Sequence, residues 1–281
     1  MITLHYEKII HGVTDRRRGC LRHVSLISML LVTLSLLSVQ PSAAQCTYNN
    51  QAFSGYERIN YNLYFNWQFV WIKAGTASMI TQPFNYKGKS AYRTSLVTKS
   101  STKVDRYFMM RDTIMAYFSP ELTPIYYRKG AREGKRYYVD EVWYTYPGGK
   151  CKTTLKHLHS DGTRDKQEYT YNTCVSDMIN SFQRIRNYNT ANWKVGHAEN
   201  VSIAGGSQLT KARIVYKGKK QVKGDNGVKY QCLVLSYQEL ENKKYKEIVK
   251  FFVTDDKRHI PVRLDLNLRF GSAKAFLSSI K

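Results

Sequence analysis

The sequence predicts a mainly β protein: a single large antiparallel sheet, strongly curved or forming an open or closed β-barrel, with one short helix. Three observations predict it. Apolar and polar residues alternate through most of the chain after residue 56, the period of a half-buried strand. Clusters of Gly, Pro, Asn and Asp separate these runs at short intervals. The 22 tyrosines supply rings for half-buried pleats and hydroxyls for polar contacts. About a dozen strands in one antiparallel sheet imply curling or closure.

The first 44 residues carry a different signal. Arg16, Arg17, Arg18 and Arg22 precede an apolar stretch from Val24 to Val39, and Pro41-Ser42-Ala43-Ala44 follows. A charged region, an apolar core and small exit residues are the parts of a secretory signal peptide, here cleaved after Ala44. The apolar stretch falls short of the ~20 residues that span hydrocarbon. The alternative is a membrane anchor through an uncleaved N-terminal segment. Gln45 stands before Cys46 where a lipidation signal needs a small residue. The expected location is therefore the periplasm, and residues 45–281 read as one β-rich domain without a linker or repeat.

Within that domain Ile59, Tyr61, Leu63 and Phe65 share one face of a strand. Trp67 to Ile80 reads as its continuation, broken at Ala74-Gly75 by a bulge or close backbone approach. Lys87-Gly88 is a turn and Ser90 to Thr98 the returning strand. Arg106 to Phe118, Ile125 to Lys129 and Tyr137 to Tyr146 repeat the pattern, and two strands flank a turn at Ser160-Asp161-Gly162-Thr163. Ser176 or Asp177 caps a helix with Met178, Phe182 and Ile185 in one stripe and Ile179 beside it, ending near Asn187. Strands resume at Val201. Two hairpins turn near Asp225-Asn226-Gly227 and Asp255 to Arg258, and Val262 to Arg269 reads as the last strand.

Residues 45–281 carry a net charge of +20. Such a surplus attracts polyanions and keeps a chain soluble through self-repulsion. Outside the cytosol those polyanions are lipid phosphates, lipopolysaccharide and acidic glycans rather than nucleic acid. Cys46, Cys151, Cys174 and Cys232 form an even set with three possible pairings. Folding about the Asp161-Gly162 turn brings Cys151 opposite Asn172, two positions from Cys174. The expected disulfides are Cys151–Cys174, closing the hairpin base, and Cys46–Cys232 by elimination.

The segments Gly55-Tyr56-Glu57-Arg58-Ile59-Asn60-Tyr61 and Ile72-Lys73-Ala74-Gly75-Thr76-Ala77 resemble the opening of the bacterial exported family called domain of unknown function 3108. Leu122-Thr123-Pro124-Ile125-Tyr126-Tyr127 with Glu133-Gly134 resembles its middle. Asp177 through Arg186 is similar to its helix. Phe252-Val253-Thr254-Asp255-Asp256, then Ile260-Pro261-Val262 through Phe270-Gly271-Ser272-Ala273, resembles its closing hairpin. The resemblance implies an exported β-rich protein and supplies no activity, cofactor or catalytic residue.

Chemistry-bearing motifs are sparse. His157 and His159 share a strand face with Asp161 and Glu168 nearby, but spacing supplies no third metal ligand. No nucleophile elbow, HExxH motif or phosphate-cradling loop occurs. Asp255 and Asp256 are adjacent on the chain and point apart, so they do not flank one bond. No catalytic, metal or cofactor residue is therefore assigned. The aromatic residues Phe65, Trp67, Phe69 and Trp71 share a parity and are the candidate ligand-facing surface, as filled core or as the wall of a cavity. The expected function is a non-catalytic periplasmic binding protein for a lipid or other amphipathic or anionic envelope component, with possible peripheral membrane contact. The alternative is a basic, tyrosine-rich protein docking on an acidic glycan or an envelope protein complex. An envelope glycan hydrolase is the third reading and needs two facing carboxylates.

Overall fold

Hairpin follows hairpin along the chain. The computed structural model describes residues 46–67, 70–206, 208–268 and 271–281. The predicted signal peptide, residues 1–44, lies outside the described residues. Residues from 46 onward form one compact unit. Its strands are β1 (Glu57–Trp67), β2 (Val70–Tyr86), β3 (Lys89–Ser100), β4 (Met110–Phe118), β5 (Pro124–Glu133), β6 (Arg136–Thr145) and β7 (Cys151–Leu158). They continue as β8 (Arg164–Tyr171), β9 (Ala198–Gly205), β10 (Gln208–Lys223), β11 (Lys229–Glu241), β12 (Lys244–Thr254), β13 (Pro261–Leu268) and β14 (Gly271–Ile280). Two short α-helices, α1 (Thr102–Asp105) and α2 (Met178–Ile185), and a 3-10 turn at Pro147–Gly149 complete the described elements.

The fold class is the one the alternation predicts: a mainly β protein built on one antiparallel sheet. The strand order is β8-β7-β6-β5-β4-β3-β2-β1-β14-β13-β12-β11-β10-β9. The first and last strands pair with each other in the middle, and β8 and β9 are the edges of an open sheet. Both edges are managed. β8 carries the exposed charged side chains of Arg164, Asp165, Lys166 and Glu168, which discourage strand addition. β9 is partly covered by Ser176, whose N–H donates to Ser202 O and whose carbonyl accepts from Ala204 N.

Local chemistry accounts for most turns. Lys87 and Gly88 both have positive φ, as a two-residue hairpin turn requires. Asn242 and Lys243 do the same between β11 and β12 without a glycine, and that turn escapes the sequence reading. Gly75 marks the close approach expected at Ala74-Gly75: a Cβ there would lie 2.2 Å from the Lys99 carbonyl oxygen. The β1–β2 register shifts opposite it, between Leu63 and Tyr64.

Four expectations about elements need correction. The strand expected from Arg106 starts at Met110, because Thr102–Asp105 form α1 with Arg106 as its C-cap, and there are two short α-helices rather than one. Trp67 to Ile80 does not continue the first strand, because β2 starts at Val70, opposite Trp67, and runs antiparallel along β1. Val262 to Arg269 is not the last strand. β14 follows, and its Ala275 and Leu277 alternate inward among serines and other small residues that carry little β signal of their own. The helix is where expected, capped by Asp177, whose carboxylate accepts from Asn180 N at 2.7 Å. Its buried stripe differs. Met178 is exposed, Phe182 is half-buried against Phe251, and Ile179, Asn180, Gln183, Ile185 and Arg186 are buried.

The reason is that α2 lies inside a curved sheet and is contacted from several sides. Asn180 Nδ2 donates to Leu122 O at 2.8 Å, and Gln183 Nε2 donates to the Thr81 and Thr94 hydroxyls on β2 and β3. Arg186 makes a two-pronged pair with Glu57 at the start of β1, at 2.6 and 3.0 Å. Ile179 packs with Phe53, Phe118, Tyr127 and Val142, whereas Ile185 joins Ile214, Leu235 and Val253. Phe182 lies against this second group and against the cluster of Ile59, Met79 and Leu277. The helix thus ties both halves of the open sheet to one plug, at the rim that carries the β2–β3, β4–β5 and β12–β13 connections.

The disulfide expectation also needs correction. Cys46 pairs with Cys174, with a Cα–Cα distance of 5.0 Å, and Cys151 and Cys232 are buried free thiols. Cys151 lies opposite Tyr171 at the hairpin base, close to the expected register. After Tyr171, however, the chain leaves the sheet and carries Cys174 toward α2 and the N-terminal segment. Cys151 packs in the Phe118 cluster and Cys232 in the Ile59 cluster.

Asp177 has a testable consequence. Its Oδ2 has no hydrogen-bond partner, and complete burial pushes its carboxyl up to about 7. The folded state therefore holds a proton that the unfolded chain releases near pH 4, so stability falls as pH rises from about 4 to 7. Asp177→Asn keeps the cap and removes the charge. It is expected to raise the urea midpoint at pH 8 and to flatten that slope; an unchanged slope would refute the assignment.

Candidate functional site

The predicted aromatic face does not exist as one strand. Phe65 lies opposite Ile72 and Asn66 opposite Trp71 across the β1–β2 hairpin. Phe69 and the side chain of Trp67 lie outside what is described. Trp71 is 38% exposed, with Lys274 Nζ 4.0 Å above its ring. Phe65 is half-buried, and its ring lies 3.3 Å from where a Cβ at Gly271 would stand. The run misleads because parity holds only along an unbroken strand, and Gln68-Phe69 carries no turn residue.

The other candidates are accounted for locally. His157 Nδ1 and Asp140 Oδ1 are 2.5 Å apart, and His159 Nε2 lies 2.7 Å from Asp165 Oδ2. The two imidazoles do share a strand face, with ring centroids 4.2 Å apart. Glu168 turns instead to Lys152 and Lys166. No group of three metal-ligating side chains occurs among the described residues. Asp255 pairs with Lys219, while Asp256 accepts from Thr254, Arg258 and His259 to shape its turn. His259 is buried with Nδ1 2.9 Å from Arg186 O, and burial holds its imidazole below the usual range. Burial pushes the Cys232 thiol up to about 12 and raises that of Cys151, which makes both poor nucleophiles at neutral pH.

Open clefts among the described residues include the following pair. One, of about 540 Å³, lies on β5–β8 between Arg128, Lys156, Arg164 and Lys166, with Glu141, Asp165 and His157 among its walls. Its charges are mixed. The second, of about 350 Å³, is mostly basic and owes its existence to a bend in β10. A register shift between Tyr216 and Lys219, with Gly218 at φ 101°, bends the distal β10–β11 hairpin back across the sheet. Only glycine adopts that backbone without strain. The hairpin tip is fastened to β1 and β14: Asp225 accepts from Asn62 and Tyr64, and its N–H donates to Leu277 O.

Beneath this overhang Lys217, Lys219, Lys220, Lys250 and Arg263 surround a floor of Val234 and Phe252. Arg263 grips Asp265 with two 2.6 Å contacts and stacks over Phe252 and Phe276. Lys219 pairs with Asp255 and Lys250 with Glu247. Lys217 and Lys220 have no ion-pair partner among the described residues, so the cleft keeps two uncompensated positive charges beside apolar carbon. The sequence shows the lysines of Lys217-Gly218-Lys219-Lys220 but not the overhang that brings them to Lys250 and Arg263.

Residues 60–278 match the family described as "Protein of unknown function (DUF3108)". The chain belongs to that family. The fold is similar to that of a solved protein from Brucella abortus, the "Beta-barrel-like Protein of Domain of Unknown Function DUF1849". The two share 13% identity with a TM-score of 0.53, over 81% of this chain and 97% of that one. At that identity the likeness concerns the fold alone. Among curated proteins none matches. The DUF3108 description names no activity, so a functional reading has to come from this chain's own surfaces.

Proposed function

We propose that the protein is an exported, non-catalytic binding protein for an anionic, amphipathic envelope component, whose acidic group sits in the cleft under the β10–β11 overhang. The observation that carries this reading is the pair of unpartnered cations, Lys217 and Lys220, above the Val234–Phe252 floor. Lysines give a phosphate or carboxylate strong charge-assisted hydrogen bonds, and the floor accepts adjoining methylene groups. The interior of the sheet is occupied by α2 and its polar contacts, which favours this outer cleft over an internal cavity.

The test is calorimetric titration with dodecyl phosphate below its micelle threshold. A charge-assisted hydrogen bond contributes about 1.5–3 kcal/mol. Lys217→Gln with Lys220→Gln is accordingly expected to weaken binding at least tenfold and to reduce its salt dependence. Lys166→Gln, in the other cleft, is expected to leave it unchanged. Equal affinity for the double variant and the unaltered protein would end the proposal.

One further observation favours docking on an acidic glycan as a second reading. Tyr86, Phe84, Tyr117, Tyr126 and Trp143 form a ladder of half-buried rings across β2, β4, β5 and β6, with neighbouring centroids 5.0–6.2 Å apart. Arg93 and Lys156 lie over its two ends. Such a surface suits sugar rings bearing carboxylates.

A further inference from the structure

The hairpins of an antiparallel meander alternate between two rims. α2 fills one. The opposite rim carries the β1–β2, β3–β4, β5–β6, β11–β12 and β13–β14 connections, and most of the exposed large apolar side chains among the described residues gather there. Val70, Trp71 and Ile72 follow the first turn, Tyr107 and Phe108 lie in the second connection, and Leu268 precedes the last. Tyr107 is 88% exposed. The turns touch one another: Lys274 of β14 covers Trp71 of β2, and Phe108 rests against Gly134 of the β5–β6 turn. Farther along, Leu240 and Tyr245 form an exposed cross-strand pair beside the β11–β12 turn.

The charge around these side chains is mainly positive. Lys73, Lys103, Arg106, Lys135, Arg136, Lys243 and Lys244 are exposed at the same rim without an ion-pair partner among the described residues. Three nearby carboxylates are in ion pairs, Asp105 with Arg111, Glu133 with Lys129 and Glu241 with Lys246, and Glu239 accepts from the Tyr237 hydroxyl. Aromatic and aliphatic tips fringed by unpaired lysine and arginine match the boundary between acyl chains and anionic headgroups. An apolar patch awaiting a second copy of this chain would instead meet a like-charged rim.

We propose that this rim docks the protein on the surface of an anionic lipid bilayer, with Trp71 and Ile72 at headgroup depth and the rim cations on lipid phosphates. The site is separate from the cleft under the β10–β11 overhang. The test uses the protein with vesicles of equal parts phosphatidylglycerol and phosphatidylcholine, and with pure phosphatidylcholine. Binding to the anionic vesicles, quenching of tryptophan by brominated acyl chains and weakening by salt are expected. Trp71→Glu with Ile72→Ser should lower partitioning at least tenfold. Lys243→Glu with Lys244→Glu should remove most of the preference for the anionic vesicles. All four positions are exposed, so the thermal unfolding midpoints should hold. Lys257→Gln, at an exposed position of the β12–β13 connection on the opposite rim, should bind vesicles normally, and Lys217→Gln with Lys220→Gln is the cleft variant compared with it. The proposal is overturned if anionic vesicles are not bound, if the rim variants bind undiminished, or if the cleft variant alone loses binding. It is also overturned if the rim variants abolish self-association while no vesicle is bound.

Discussion

Glu57→Ala is expected to remove about 3–5 kcal/mol of folding stability, the cost of leaving one partner of a buried ion pair alone. Arg186 is the partner. Its side chain is fully buried, with Nη1 2.6 Å and Nη2 3.0 Å from the Glu57 carboxylate. Arg258 adds a third contact at 2.9 Å, but its side chain is 53% exposed and can turn to water. Arg186 cannot, since it is enclosed by Gln183, Phe53 and the Arg258 carbonyl. Removing Glu57 therefore strands a guanidinium inside the fold. Urea unfolding followed by tryptophan fluorescence measures the loss, and a change below about 1 kcal/mol would show that water or a neighbour replaces the carboxylate. Changing both partners, Glu57→Leu with Arg186→Met, is expected to cost less than Glu57→Ala alone.

The same pair has a pH signature. Burial pushes the Glu57 carboxyl up, but Arg186 and Arg258 outweigh it and hold the group below its usual range. A depressed folded-state value stabilises the protein above the unfolded value, near pH 4.5, and that stability is lost as pH falls through the folded one. Asp177 acts in the opposite direction between about pH 4 and 7. The two are separable: Glu57→Gln should flatten the acid limb, and Asp177→Asn the limb approaching neutrality.

Both carboxylates show where reading from sequence stops. Alternation identifies Ile59 and Tyr61 as inward-facing, and turn residues place most hairpins, because a half-buried strand writes its period into the chain. Asp177 is legible as a cap for the same local reason. What alternation cannot show is which strands meet. Glu57 and Arg186 are 129 positions apart and become a pair only because β1 lies in the middle of the sheet with α2 beneath it. The polar face of α2 contradicts a simple stripe for that reason. Asn180, Gln183 and Arg186 sit inward because the surrounding strands offer a carbonyl, two hydroxyls and a carboxylate. The overhang above the Lys217–Lys220 cleft is equally tertiary. Gly218 gives a local hint of a bend, but the anchor through Asp225 to Asn62 and Tyr64 does not announce itself.

Loss of the Cys46–Cys174 disulfide is expected to have the other large effect. Its two cysteines are separated by 128 residues, and closing a loop of that length removes about 5 kcal/mol of unfolded-chain entropy in the loop model. The pairing expected from the hairpin alone, Cys151–Cys174, would contribute about 3 kcal/mol on the same basis. The larger loop also does more for the architecture. It fastens the segment before β1 to the approach of α2, where Tyr48 lies 3.9 Å beneath the Arg184 guanidinium and Phe53 enters the core. The N–H groups of Gln51 and Ala52 donate to Asn187 just beyond the helix. Cys46→Ser with Cys174→Ser should therefore lower the urea midpoint strongly and expose α2 to hydrogen exchange before the strands open. Cys151→Ser with Cys232→Ser leaves the bridge intact and should show the smaller effect of two buried polar replacements. The order of the two losses decides the pairing: if the second variant proved the more damaged, and non-reducing peptide maps joined Cys151 to Cys174, the clamp on α2 would have to be withdrawn.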